Sequence, residues 1–159
     1  MQKISILLIV VMFSACKTIS GPKEVLGKVE ISDLAADSSC NWLAPNLGKY
    51  QADPSVLNKM STMDFTGFSW KVYLGCWCSD SKKMIPPFMD IMESIHFPKE
   101  RISFYALDLN KEAPGNDHKQ DSIEYVPTII LFKDNKEQGR IVENTEYPLE
   151  SALWLLLAP

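Results

Sequence analysis

The sequence predicts an α/β fold, and three observations carry that expectation. The apolar run over residues 68–74 stops abruptly at Gly75-Cys76-Trp77-Cys78-Ser79-Asp80-Ser81-Lys82, which reads as a buried strand handing over to a helix. Thr128-Ile129-Ile130-Leu131-Phe132 is β-branched and almost continuously apolar, the pattern of a central strand buried on both faces. Around these two segments, helical and strand patterns alternate, as they do in layered α/β domains.

The N-terminus stands apart from that domain. Lys3 gives a positive start, residues 4–13 are almost wholly apolar, and Ser14-Ala15-Cys16 follows. The run is about half of the ~20 residues that a bilayer span requires, so residues 1–15 read as a signal peptide. Small residues before a cysteine resemble the lipobox of bacterial lipoproteins, although Phe13 stands where leucine is usual. The resemblance implies a lipid on Cys16, and a domain held at the bacterial cell envelope outside the cytoplasm. Residues 16–48, with Gly21, Pro22, Ser38, Ser39 and Pro45, read as a tether and irregular approach. Residues 49–159 form the domain, and a chain of this size supports one core. Net charge is −4 with the signs interleaved, so no basic patch points to nucleic acid. Four cysteines are too few for a disulfide scaffold, but an exported chain allows Cys40, Cys76 and Cys78 to be oxidised.

Along the domain, Asp53-Pro54-Ser55 pairs a capping residue with proline at the first helical position, predicting a helix to about residue 63. A strand follows over 68–74. Ser79 or Asp80 is expected to cap the next helix, running to about residue 95. Pro86 and Pro87 either divide that helix or kink it. A strand over 102–109, a helical piece near 118–123, a strand over 128–132, a partner strand over 138–143 and a helix over 148–157 complete the order. Both histidines, His96 and His118, are expected at the surface.

The strand-to-helix junction carries the chemistry. The first turn of a helix has free backbone N–H groups and a positive dipole end. A sulfur there is favoured as thiolate, the form that attacks disulfides and binds soft metals. Trp77-Cys78-Ser79-Asp80-Ser81 resembles the Trp-Cys-x-x-Cys turn of the thioredoxin family, with serine at the last position. Pro86 lies eight residues after Cys78, where that family carries its kinking proline. Val126-Pro127-Thr128 is similar to the family's cis-proline element. The resemblance covers about residues 60–157 and implies a three-layer fold, a central mixed sheet flanked by helices. It implies Cys78 as nucleophile, a cis Pro127, and a ledge for an extended peptide formed by Val126 and Pro127. Trp77 either flanks the sulfur or packs in the core.

Two departures bear on activity. Ser81 cannot resolve a mixed disulfide, although it can donate a hydrogen bond to a Cys78 thiolate. Val72 replaces the family's buried aspartate on the preceding strand. Cys76 is one replacement partner: an extended pair two residues apart has Cα atoms about 6.6–7 Å apart, at the upper limit for a disulfide. Cys40 is the other. Three function classes follow. The first is thiol–disulfide exchange on envelope protein thiols or disulfides through Cys78 and one of these partners, with no cofactor. The second is a redox-inactive binding module. The third is a Cu(I)-type site on Cys76 and Cys78, since thiolates suit soft metals.

Overall fold

A computed structural model describes residues 25–158; the signal peptide expected over residues 1–15 and the lipid expected on Cys16 lie outside the described residues. Five strands form one mixed sheet in the order β1-β3-β2-β4-β5. They are β1 (Gly27–Val29), β2 (Phe68–Leu74), β3 (Ile102–Ala106), β4 (Thr128–Lys133) and β5 (Lys136–Val142). The β2–β3 pair is parallel and the other three are antiparallel. Six helices flank the sheet: α1 (Ile31–Ala36), α2 (Leu43–Asn46), α3 (Pro54–Ser61), α4 (Ser79–Ser94), α5 (Asp117–Gln120) and α6 (Leu149–Leu157). This is the thioredoxin-type α/β architecture expected from the sequence.

Strand alternation sorts side chains into two cores. Trp70, Val72, Leu74, Ile129 and Leu131 enter the larger one, beneath α4 and α6. Tyr73, Tyr105, Ile130 and Val126 enter the smaller one on the opposite face, which also holds Cys78. Ile129, Ile130 and Leu131 are all fully buried, so β4 is covered on both faces, as its continuous apolar run requires.

Residues 27–48 differ from the expected tether and irregular approach. Gly27–Val29 pairs with β3 as an edge strand, and Leu34, Cys40 and Leu43 are fully buried in the larger core. Buried carboxylates hold the segment that follows. Asp90 of α4 accepts the Gly48 and Tyr50 amides at 2.7 and 2.9 Å. Glu150 of α6 accepts the Tyr50 hydroxyl at 2.6 Å and the Asp53 amide at 2.9 Å. Short polar stretches read as linker when their partners lie 40 to 100 residues away.

Two smaller expectations also change. The helix after the junction passes through both Pro86 and Pro87 without dividing. His118 is buried at 4% exposure, its ring 3.0 Å from Glu112, whereas His96 is exposed.

Candidate functional site

The chain turns sharply between β2 and α4, and each residue of the turn has a distinct task. Gly75 has no Cβ because the Trp77 indole lies over it: a Cβ there would sit 2.6 Å from indole Cε2. The indole N–H donates to the Leu107 carbonyl at 3.0 Å, pinning Trp77 to the end of β3. Trp77 packs against the small core containing Cys78, so it flanks the sulfur and contributes to packing at once. Cys78 amide to Gly75 carbonyl, 3.0 Å, closes the turn.

Cys78 itself is the N-cap of α4, displacing the expected Ser79 or Asp80, and no side chain caps the helix. It is 8% exposed, and it is the one free cysteine among the described residues. Its thiol donates to the Val126 carbonyl at 3.1 Å. The Val126–Pro127 peptide is cis, so Pro127 has the geometry expected of it. The Thr128 hydroxyl holds the same loop through the Tyr125 carbonyl at 2.7 Å.

The partner cysteines are arranged differently from the sequence expectation. Cys76 is bonded to Cys40, with Cα atoms 4.8 Å apart, rather than either being bonded to Cys78. The turn explains the choice: Cys76 packs into the larger core with Cys40, whereas Cys78 points into the smaller one. Trp42 reinforces this arrangement, its indole N–H donating to the Cys76 carbonyl at 2.8 Å. A two-thiolate site on Cys76 and Cys78 is therefore inconsistent with the observed bonding.

Ser81 also differs in its role. It is fully buried, and its hydroxyl accepts the Gly75 amide at 3.2 Å rather than serving the Cys78 sulfur. Val72 is fully buried in the larger core. In the small core, which Cys78 shares, the Tyr73 hydroxyl donates to Asp121 at 2.6 Å. Lys71 reaches the same carboxylate at 2.7 Å. Burial first, and then the hydrogen bond and charge of Asp121, push the Tyr73 phenol far up, so it keeps its proton at neutral pH.

A groove of about 480 Å³ opens beside the sulfur, lined by Trp77, Cys78, Asp80, Tyr125, Val126 and Glu143 among others. Lys111 and Glu143 also line the groove and were not identifiable as site residues from the sequence, because they lie far along the chain from the Cys78 turn. The Cys40–Cys76 pairing was equally hidden, since the fold position of Cys40 is set by long-range contacts.

A thioredoxin family model matches residues 72–153, just over half of the chain. No curated protein matches the sequence. Among solved structures, thioredoxin O2 from Arabidopsis thaliana is similar at 22% identity and a TM-score of 0.44, covering 64% of this chain and 84% of its own. The Malassezia sympodialis thioredoxin is 20% identical with a TM-score of 0.43, over 58% of this chain and 79% of its own. A Pseudomonas aeruginosa protein of unknown function is 12% identical, with a TM-score of 0.51 over 83% of this chain and 81% of its own.

Proposed function

Because this chain belongs to the thioredoxin family, we propose that it carries out thiol–disulfide exchange with Cys78 as the single attacking sulfur, acting on protein disulfides of the bacterial envelope. The carrying observation is the placement of Cys78. The one free cysteine among the described residues begins α4, contacts the carbonyl before a cis-proline, and lines an open groove. In the first step Cys78 loses its proton to water and its sulfur attacks one sulfur of the target disulfide. A Cys78–target bond forms, the old bond breaks, and the departing thiolate takes up a proton. A second thiol, from the target or from solution, then attacks the mixed disulfide and releases Cys78. Ser81 leaves that second step without an internal partner one turn away. Cys76 supplies none while it remains bonded to Cys40 on the other face of the sheet.

The envelope location is part of the same proposal and rests on the leader and Cys16, with a lipid on Cys16 as the membrane anchor. A second reading, a binding module without turnover, is favoured by the low exposure of Cys78 and by its hydrogen bond to Val126.

Exposure of the full chain to oxidised glutathione, followed by acid quenching and peptide mapping, separates the readings. Exchange through Cys78 yields a glutathione adduct on Cys78 with Cys40–Cys76 intact. A Cys76–Cys78 bond with Cys40 released would transfer the resolving role to the internal pair. Failure to modify Cys78 would leave the binding-module reading.

A further inference from the structure

The Cys78 groove does not end at the sulfur. Asp80 and Glu143 border both it and a second cavity of about 350 Å³, whose apolar wall is formed by Met84, Pro87 and Leu149. Tyr50, Lys83 and Pro87 in turn border both the second cavity and a third of about 230 Å³, which adds Lys49 and Lys82. Leading away from the nucleophile, the first groove carries Asp80 and Glu143 together with Lys111, the second cavity has the apolar wall with Lys83 at its border, and the third gathers Lys49, Lys82 and Lys83. Lys83 contacts Asp80 at 2.9 Å, whereas Glu143 enters no ion pair among the described residues. Of the two carboxylates shared by the first groove and the second cavity, Glu143 is thus the one without a lysine on it among the described residues.

Glu143 holds this place in an unusual conformation. Its φ is 58°, in the left-handed region that a residue with a Cβ disfavours, and its amide donates to the Pro127 carbonyl at 2.8 Å.

Length sets the size of the occupant. From Cys78 to Pro87 helix α4 advances nine residues, about 13 Å at ~1.5 Å each. An extended chain covers that in about four residues at ~3.3 Å each. Resting on the exchange reading above, we propose that the substrate is an extended polypeptide segment of about five residues. Its order is a disulfide-bonded cysteine at Cys78, a basic residue against Glu143, an apolar residue against Met84, Pro87 and Leu149, and an acidic residue against Lys49 and Lys82. A small disulfide has nothing to place in the second and third cavities.

The test uses the full chain and peptides of sequence Cys-Lys-Leu-Ala-Glu, the same peptide reversed, and each with its charges swapped. Every cysteine carries 5-thio-2-nitrobenzoate as the leaving group. Glutathione bearing that group is the small comparator, and Cys78→Ser is the blank. One orientation of the matched peptide should release the coloured thiolate about tenfold faster than its charge-swapped form and than the glutathione derivative. Salt of about 0.5 M should shrink the charge preference, and Glu143→Gln should lower it about threefold. Equal rates for all probes would overturn the peptide assignment while leaving exchange at Cys78 standing. A preference unchanged by Glu143→Gln would overturn the proposed order of charges. No reaction above the blank, glutathione included, would remove this proposal and the exchange reading together.

Discussion

Gly75 has the least chemistry of any residue in the turn, yet the site geometry depends on it. The missing Cβ lets the Trp77 indole fold back across the backbone and reach the Leu107 carbonyl. Alanine would place a carbon 2.6 Å from the ring, so the indole must move and give up that bond. Gly75→Ala should therefore cost about 1–3 kcal/mol, read as a lower urea midpoint. Because Trp77 walls the groove, the accessibility of Cys78 to alkylation should rise with it; an unchanged midpoint and alkylation rate would show that the ring is not needed there. Ser81 and Val72 act through the same packing. Both are fully buried, and the Ser81 hydroxyl satisfies the Gly75 amide while Val72 fills the larger core, so both departures from the family pattern are built into the packing.

At the scale of elements, the segment before β2 is fastened by a covalent bond and by buried carboxylates. In a chain-entropy account, a bond closing a loop the size of Cys40–Cys76 stabilises by about 3–4 kcal/mol. The second fastening, Tyr50 with Glu150, is pH-sensitive on both sides. Burial alone would raise the Glu150 pKa, but the Tyr50 hydroxyl and the Asp53 amide hold it below its ordinary value of 4.5. Unfolding lets that carboxylate take up protons more readily, so its contribution is complete above about pH 5 and falls as pH drops through 4.5. The Tyr50 phenol is pushed from 10.0 up to about 12, by burial first and then by Glu150. Its contribution is complete below pH 10 and is lost as pH rises toward 12. The urea midpoint of the wild type should therefore decline at both ends. In Glu150→Gln it should be lower at neutral pH and flatter in the acid window; parallel profiles would mean that this pair does not clasp the segment.

For the whole molecule, the proposed envelope location makes a direct prediction. No helix among the described residues is long and apolar enough to cross a membrane. The apolar stretch over residues 4–13 is about half of the ~20 residues that a bilayer span requires, and the lipid proposed on Cys16 is the anchor to be tested. A single acyl chain binds a bilayer only marginally, so stable anchoring requires more than one. Metabolic labelling of cells with a palmitate analogue should mark the full chain and be abolished in Cys16→Ala. Labelling that survives the substitution would sink the lipoprotein reading of Cys16.

The sequence by itself determined the strand-to-helix turn, the buried central strand, the alternation of elements and the positions of Cys78 and Pro127. These are local patterns: periodicity, a capping proline and a motif within eight residues all follow from neighbours along the chain. Tertiary structure alone decided that Cys40 meets Cys76, that residues 27–48 supply an edge strand and core, that His118 is buried, and that Glu143 and Tyr125 line the groove. These features depend on segments distant along the chain coming together, as in the Cys40–Cys76 bond between positions 36 residues apart. The turn illustrates the difference. Residues 76 and 78 look alike in the sequence, but a bend at Trp77 sends one sulfur into each core, and only the packed sheet fixes which cysteine is bonded and which stays free.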